Sequence, residues 1–252
     1  MKNCRLILLP VLLVALAAIA VKVSVVSVNA GGMFWGEHAA GITDRIAPAA
    51  GEKVLYLTFD ACGDSERGLG YEKATIDYLR RHNIPATLFL SAMWIDANPD
   101  IFADLAADPL FKIGNHGAEH KPASVRGFSA FGTKGTASKK ELVAEVGGGA
   151  GKIEKLAGAR PNWYRSGQAF YDAESIKIIT GQLGIKIAGF AKKLDAGMGG
   201  LEDQVYMAAI SAAPGDILLG HISHPGRGTA EGLARAIPEL QKRGFVFRRL
   251  PD

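Results

Sequence analysis

Residues 53–59 read Lys-Val-Leu-Tyr-Leu-Thr-Phe, and Asp60 follows at once. A short apolar run bounded by polar residues is typical of a strand that is buried on both faces. Comparable runs recur along the chain, each separated from the next by a stretch with helical spacing of apolar residues. The run at 53–59 is therefore predicted to be the first strand of a parallel sheet in an α/β fold.

Strand-like and helix-like segments alternate from this point onward, without an internal sequence repeat. The predicted strands cover 53–59, 86–91, 110–114, 161–165, 185–190, 216–220 and 245–249. The predicted helices cover 71–82, 98–107, 138–157, 172–183, 202–212 and 229–242. Seven strands that alternate with helices predict a parallel sheet, either open and doubly wound or closed into a barrel.

Two segments depart from this pattern. Residues 121–137 form a long loop rich in Gly, Ser and Thr, for which a functional loop and a solvated excursion are both open interpretations. The predicted helix 138–157 contains glycine at 147–149 and at 151, and each costs about 1 kcal/mol of helix stability relative to alanine.

Composition excludes several classes of protein. The chain has 252 residues, of which 48% are hydrophobic and 21% are charged, so it is neither disordered nor collagen-like. Two cysteines are too few for a disulfide-stapled scaffold. Removing the three basic side chains of residues 1–30 from the total of 29 leaves 26 basic against 25 acidic side chains. This balance does not favour a nucleic-acid partner.

The N-terminus has the three parts of an export signal. Lys2 and Arg5 precede an uninterrupted apolar run at 6–21, and Val28-Asn29-Ala30 or Ala18-Ile19-Ala20 offers small residues for cleavage. An uncleaved membrane anchor is the alternative, and it would be the chain's one link to a membrane. Either way we expect an exported protein, periplasmic or extracellular.

The remaining chain divides into two parts. Residues 31–52 are predicted to be an N-terminal linker, and 53–252 are predicted to form one folded domain.

Ionisable side chains follow five of the predicted strands. They are Asp60, His116, Arg165, Asp195 and His221. The carboxyl ends of parallel strands meet at one rim, which is where α/β folds place their chemistry. We therefore expect these groups to converge on one site.

His116-Gly-Ala-Glu-His120 adds a second signal at this rim. Two histidines at i and i+4 lie on one face of a helical turn and can share a metal ion. A carboxylate from a neighbouring strand would complete a zinc-type site. The motif is not His-Glu-x-x-His, because Glu119 sits one place too late.

These residues together resemble a known family. Thr58-Phe59-Asp60, His116-x-x-x-His120, the Arg165 segment, Asp195 and Leu218-Leu219-Gly220-His221 occur in the order seen in polysaccharide deacetylases. These are the NodB-homology enzymes of carbohydrate esterase family 4, and the resemblance covers roughly residues 53–250. It implies a distorted (β/α) barrel of about seven strands. It also implies metal-dependent removal of N-acetyl groups from chitin-like glycans, peptidoglycan or related sugars, with a divalent metal for which zinc is favoured.

The resemblance also implies roles for individual residues. Asp60 resembles the catalytic base, and His116 and His120 resemble metal ligands. Arg165 resembles the arginine that orients the base. Asp195 resembles the carboxylate that supports the catalytic histidine, and His221 resembles the general acid.

One departure from the family pattern concerns the metal. The family usually reads Thr-Phe-Asp-Asp-Gly and binds metal through its second Asp, but this chain has Ala61 there. Asp60, Asp64, the Cys62 thiolate or a water could complete the site. We favour Asp60 or water, because Cys62, two positions beyond Asp60, is expected to point differently and to act as a small buried hydrophobe.

Aromatic residues near Arg165 suggest a sugar-binding groove. Trp163, Tyr164 and Tyr171 are the predicted substrate contacts, although core packing of Trp163 is as compatible with the sequence. Phe170 and Trp94 are further candidates, and His224 is interpreted as a loop residue.

Three other functions compete with this one. The chain could be a non-catalytic glycan-binding module that lost its metal through Ala61. It could be a cysteine hydrolase that uses Cys62 with a histidine. It could also be a related hydrolase of other non-peptide C–N bonds. The expected partner in the favoured case is an acetylated polysaccharide.

Overall fold

A computed structural model describes residues 34–63, 67–195 and 201–252. The predicted export signal at 1–30 lies outside these residues, and so does Asp64. None of the helices in the described ranges has the length and apolarity needed to span a bilayer.

The described residues contain one large parallel sheet and two short ribbons. The strands are β1 (Trp35–Gly36), β2 (Ile42–Thr43), β3 (Val54–Ala61), β4 (Ala86–Leu90), β5 (Phe111–Asn115), β6 (Ser129–Ala130), β7 (Thr133–Lys134), β8 (Trp163–Tyr164), β9 (Tyr171–Asp172), β10 (Lys186–Ala188), β11 (Lys192–Lys193), β12 (Ile217–His221) and β13 (Val246–Phe247). The large sheet has the order β11-β12-β3-β4-β5-β8-β10-β2, and β13 also pairs with β3. Every pairing within it is parallel.

The sheet curls until its edges approach each other. The Ala191 amide donates to the carbonyl of Ile217, and the Ile217 amide donates to the carbonyl of Asp44. These bonds connect the segment after β10, the segment after β2 and strand β12. The expectation of a distorted (β/α) barrel is confirmed, and each of the seven predicted strands is present in it.

Helices cover the outside of the barrel. They are α1 (Lys73–Arg81), α2 (Ala92–Ala97), α3 (Pro99–Ala107), α4 (Lys139–Ala157), α5 (Ala173–Lys177), α6 (Glu202–Ile210) and α7 (Thr229–Lys242). A π-helical turn at Ile178–Gln182 extends α5. Helix α2 was not predicted, and it begins where the Ser91 hydroxyl accepts a hydrogen bond from the Trp94 amide.

Strand β3 is buried on both faces, and its two faces have different roles. Leu55, Leu57, Phe59 and Ala61 pack into the main core beneath the helices. On the other face, Val54 and Tyr56 fill a core inside the barrel. Thr58 and Asp60 continue this inner face toward the carboxyl end of the strand, because side chains alternate along a strand. The barrel interior thus changes from apolar to polar at the predicted rim.

The predicted linker contributes to the fold from residue 34 onward. β1 pairs with β9, and β2 pairs with β10 at the edge of the large sheet. Arg45 forms an ion pair of 2.5 Å with the buried Asp216 before β12. This stretch is therefore part of the folded unit and not a linker.

The long loop 121–137 is fixed by hydrogen bonds to β9. The Ser124 hydroxyl and the Val125 amide both donate to the Asp172 carboxylate, each at 2.8 Å. β6 and β7 form a small hairpin within the loop. Phe131 lies at the hairpin tip and is 75% exposed. The interpretation of this segment as a solvated excursion is wrong, since its base is fixed to the barrel.

Candidate active site

The carboxyl ends of the parallel strands gather the predicted residues on one rim. His221 at the end of β12 is directly opposite Asp60 on β3 in the sheet register. Asn115, which precedes His116, is opposite Tyr164, which precedes Arg165. The expected convergence of these groups follows from this register.

Asp60 is held by a fully buried arginine. Arg165 donates from Nη1 to Asp60 Oδ1 at 2.7 Å and from Nη2 to the Thr58 hydroxyl at 3.0 Å. Its guanidinium also lies 4.4 Å from the centre of the Phe89 ring. Burial alone would raise the pKa of Asp60, but the Arg165 charge and hydrogen bond, together with His116 and His221, outweigh burial and the pKa falls below its ordinary value. Asp60 is therefore a carboxylate of fixed orientation.

A second carboxylate orients His221. Asp195 Oδ1 lies 2.7 Å from His221 Nδ1, while Oδ2 accepts from the His221 amide and the Thr229 hydroxyl, each at 2.8 Å. Burial would lower the pKa of His221, but the charge and hydrogen bond of Asp195, together with Cys62, raise it well above the ordinary value. The arrangement holds the proton on Nδ1 and favours an imidazolium at neutral pH.

His116 and His120 come together, although not on a helical turn. The segment after β5 is a tight loop in which Gly117 has φ of +87° and His120 has φ of +56°. The helical-turn prediction is therefore wrong, because neither residue has right-handed helical backbone angles. The loop nevertheless folds back so that the ring centres of the two histidines lie 4.7 Å apart.

Helix α4 shapes this loop, which we call the metal loop (residues 115–121). The buried Glu145 carboxylate accepts hydrogen bonds from the amides of Glu119 and Lys121 at 3.0–3.1 Å. A side chain at Gly117 would collide with Glu145, and one at Gly149 would collide with the side chain of Asn115. The helix glycine at 149 is thus explained by close packing of the metal loop on α4.

Cys62 points toward the two histidines, contrary to the prediction. Residues two apart on a strand share a face, and β3 extends through Ala61, so Cys62 continues the inner face of Asp60. Its Sγ lies 3.9 Å from His116 Nε2. Burial would raise the pKa of Cys62. The charge of the neighbouring His120 and the hydrogen bonds of the thiol to His116, His120 and His221 together lower the pKa of Cys62 well below its ordinary value.

Cys62, His116 and His120 can together hold a metal ion. One potential ligand atom from each residue lies within 4.8 Å of the other two, and all three residues are buried. His116 Nδ1 lies 2.8 Å from the Arg165 carbonyl, which leaves Nε2 as the nitrogen available for a ligand bond. The donor set of one thiol and two imidazoles fits zinc. Asp60 does not belong to this compact set in the described residues.

Ala61 has no place in the metal site. Its methyl group is fully buried in the main core, on the opposite face of β3 from Asp60. In the family pattern the metal-binding Asp stands directly before a glycine and three positions after the threonine. In this chain Cys62 stands directly before Gly63, whereas Ala61 stands three positions after Thr58. The position before the glycine corresponds better to the metal-binding Asp, since Gly63 has φ of +80° at the turn after the strand.

The polar groups face a pocket of about 340 Å³. Asp60, Cys62, His120 and His221 line it. Its walls include residues that sequence reasoning missed, namely Phe131, Phe190, Glu37, Lys193, Gln168 and Arg227. Of these residues, Phe131 alone had a signal in the sequence, because it belongs to the long loop at 121–137.

The predicted aromatic contacts to substrate are wrong. Trp163 is 3% exposed, and Tyr164 and Tyr171 are fully buried. Trp163 donates from Nε1 to the Pro251 carbonyl at 2.7 Å, away from the pocket residues. The Tyr171 hydroxyl instead accepts from the Ser166 amide. Buried rings cannot stack on a sugar, so these side chains serve packing and support.

Residues 47–188 match the family model described as polysaccharide deacetylase. The chain belongs to the polysaccharide deacetylase family. It is thus a polysaccharide N-deacetylase by family, a hydrolase of carbon–nitrogen bonds other than peptide bonds, and the resemblance seen in the sequence is confirmed.

Two curated relatives and a solved structure are similar to this chain. Peptidoglycan-N-acetylmuramic acid deacetylase PdaA of Bacillus subtilis is 26% identical over 207 residues, which cover 80% of this chain and 71% of PdaA. Peptidoglycan-N-acetylglucosamine deacetylase of Bacillus cereus is 26% identical over 202 residues, which cover 78% of this chain and 85% of the relative. The structure of PdaA, a family 4 carbohydrate esterase, superposes with a TM-score of 0.65, at 24% identity and 82% coverage of both chains.

Proposed function

We propose that this protein is an exported, zinc-dependent deacetylase that removes N-acetyl groups from peptidoglycan. The observation that carries the proposal is the convergence of two charge pairs, Asp60–Arg165 and Asp195–His221, with the Cys62–His116–His120 cluster at one pocket, which Asp60, His221, Cys62 and His120 line. The names of both relatives support peptidoglycan over chitin-like glycans as the substrate.

Hydrolysis of an acetamide requires an activated water, stabilisation of negative charge on the carbonyl oxygen, and a proton donor for the nitrogen. When bound at His116 and His120, a divalent metal lowers the pKa of water and polarises the carbonyl. Asp60 accepts the proton of the attacking water, and Arg165 keeps its carboxylate ionised and in place. This assigns the base to a group that is ionised throughout the neutral range.

His221 supplies the proton that the leaving nitrogen needs. It donates from Nε2 as the C–N bond breaks, so the products are acetate and a free amino sugar. Asp195 holds the opposite ring nitrogen at 2.7 Å and keeps the ring charged until that step. Acid and base thus stand opposite each other on adjacent strands.

One aromatic side chain at the pocket wall is suited to a sugar ring. Phe131 and Phe190 both line the pocket, but Phe190 is 4% exposed, whereas Phe131 is 75% exposed at the tip of the hairpin. Phe131 also makes an edge contact with Phe170 at 5.5 Å, which supports its ring from behind. We assign Phe131 as a substrate platform in place of the buried aromatic residues.

The function is tested by measuring acetate release from N-acetylated peptidoglycan fragments and from chitooligosaccharides, with and without a metal chelator. The proposal expects release that is faster on peptidoglycan, is lost with the chelator and returns with zinc. A glycan-binding module would bind these fragments without release. A cysteine hydrolase would keep its activity in the chelator. Export is tested by N-terminal sequencing of the secreted protein, which should begin after Ala30 or Ala20.

A further inference from the structure

We propose that the Cys62 thiolate is the third protein ligand of the metal, which makes the site a Cys-His-His centre selective for thiophilic divalent ions. The inference deepens the proposed function, on which it depends for the presence of a metal. It replaces the expectation that Asp60 or a water completes the site.

The position of Cys62 fits direct coordination. Tetrahedral zinc with one sulfur and two nitrogen ligands separates its ligand atoms by about 3.4–3.6 Å. Cys62 Sγ lies 3.9 Å from His116 Nε2, and the ligand atoms of all three residues lie within 4.8 Å of one another. Small side-chain rotations would bring the three atoms to bonding distance.

The backbone around Cys62 is built to aim its side chain. The Cys62 amide donates to the Ser223 hydroxyl at 3.3 Å, and its carbonyl accepts from the Ser91 hydroxyl. Gly63 turns the chain away with φ of +80°, and a Cβ there would lie 2.7 Å from the Trp94 amide nitrogen. The backbone that carries the thiol is therefore held in place on both sides of Cys62.

No carboxylate among the described residues competes for this role. Asp60 Oδ1 accepts from Arg165 at 2.7 Å. Its Oδ2 lies 3.7 Å from His116 Nε2, but Asp60 is not among the residues whose ligand atoms all lie within 4.8 Å of one another. Ala61 lies in the core. Catalytic zinc sites commonly use three protein ligands and leave one position open, and among the described residues Cys62 is the one that completes the compact set with the two histidines. Asp60 is thereby left free to act as a base.

Ligand chemistry gives the inference a measurable consequence. Thiolates favour zinc and cobalt over magnesium, calcium and manganese, whereas a carboxylate with two imidazoles discriminates less. The site should therefore bind zinc and cobalt and reject the three harder ions.

The experiment uses cobalt(II) as a spectroscopic probe in a Cys4→Ser chain, where Cys62 is the only thiol. We expect a near-ultraviolet absorption band from charge transfer between thiolate and cobalt, and we expect Cys62→Ser to abolish it. Zinc affinity in Cys62→Ser should fall by more than about 100-fold, beyond the 10–100-fold that changes outside the ligand shell cause. Cys4→Ser alone is the matched control and should bind zinc like the unaltered chain.

A second measurement does not depend on the folding of a variant. Zinc should protect Cys62 of the unaltered protein from a small thiol reagent, as measured by mass spectrometry of the Cys62 peptide. A cobalt complex without the charge-transfer band, equal zinc affinity in Cys62→Ser, or thiol labelling that zinc does not slow would each overturn the inference. Chelator-sensitive acetate release without the band would reject the thiolate ligand and retain the proposed function. The band without acetate release would retain the thiolate ligand and reject the proposed function.

Discussion

His221 of the Asp195–His221 pair lines the same pocket as Cys62 and His120 of the Cys62–His116–His120 cluster, but different kinds of structure hold the pair and the cluster. The pair depends on side-chain hydrogen bonds that join the end of β12, the segment after β11 and the start of α7. The cluster depends on backbone conformation, with left-handed residues in the metal loop and a glycine turn after Cys62. A substitution in the pair should therefore remove one hydrogen bond and leave the others in place. The metal affinity of the cluster should also change when residues that do not touch the metal are substituted.

The largest effect should come from removing a ligand of the cluster. In His116→Ala we expect loss of bound metal and a fall in acetate release greater than the 10²–10⁴-fold that one acid–base group typically contributes. Metal content and acetate release are measured on the same sample. His82→Ala, at an exposed position on the C-terminal side of α1, is the control and should change neither quantity. Retention of metal in His116→Ala would contradict the assignment.

Removal of the acid should separate the two halves of the site. His221→Ala should lower acetate release by about 10²–10⁴-fold, because the leaving nitrogen loses its proton donor. Its metal content should remain that of the unaltered protein, as measured by elemental analysis. If metal is lost together with activity, His221 is a ligand and the division into two halves fails.

The hydrogen-bonded pair should also set the alkaline limit of activity. Because Asp195 raises the pKa of His221, the acid form should persist at neutral pH, and activity should fall as pH rises through that raised pKa. Asp195→Asn removes the charge, so the alkaline fall should move to lower pH. The pH profile of kcat/KM measures this shift, and Asp203→Asn on the exposed face of α6 serves as the control. An unmoved alkaline limb would show that another group limits activity there.

The smallest effect on turnover should come from the support of the metal loop. Glu145→Gln keeps one acceptor oxygen but turns an NH₂ group toward the amides of Glu119 and Lys121. We expect a loss of about 10–100-fold in zinc affinity, typical of a support residue, with normal acetate release at saturating zinc. Glu141→Gln on the same helix is the matched control. Equal zinc affinity in both variants would show that Glu145 on α4 does not support metal binding.

Regular structure and the rim residues could be predicted because they follow from local patterns. The apolar run at 53–59 identified β3, and the carboxyl-end rule placed Asp60, Arg165 and His221 on one rim. The predicted helix at 138–157 agrees with α4 within one residue despite its glycines.

The details that failed depend on contacts distant in sequence. The spacing of His116 and His120 cannot reveal a loop whose shape comes from Glu145 on another element. Exposure of an aromatic residue is equally invisible, and Trp163 is buried by the chain terminus through Pro251. The direction of Cys62 was the one local property that strand alternation could have supplied.

The packing of the metal loop on α4 means that the two segments must be treated as one unit in protein engineering. The amides of Glu119 and Lys121 find their acceptor in Glu145, and the loop lies against the bare backbone at Gly149. A graft of residues 115–121 alone into another barrel would leave those amides without a hydrogen-bond acceptor. The grafted loop would also collide with any side chain at the helix position that Gly149 occupies here. Transfer of the histidine site to another barrel therefore requires that α4 be transferred together with the loop.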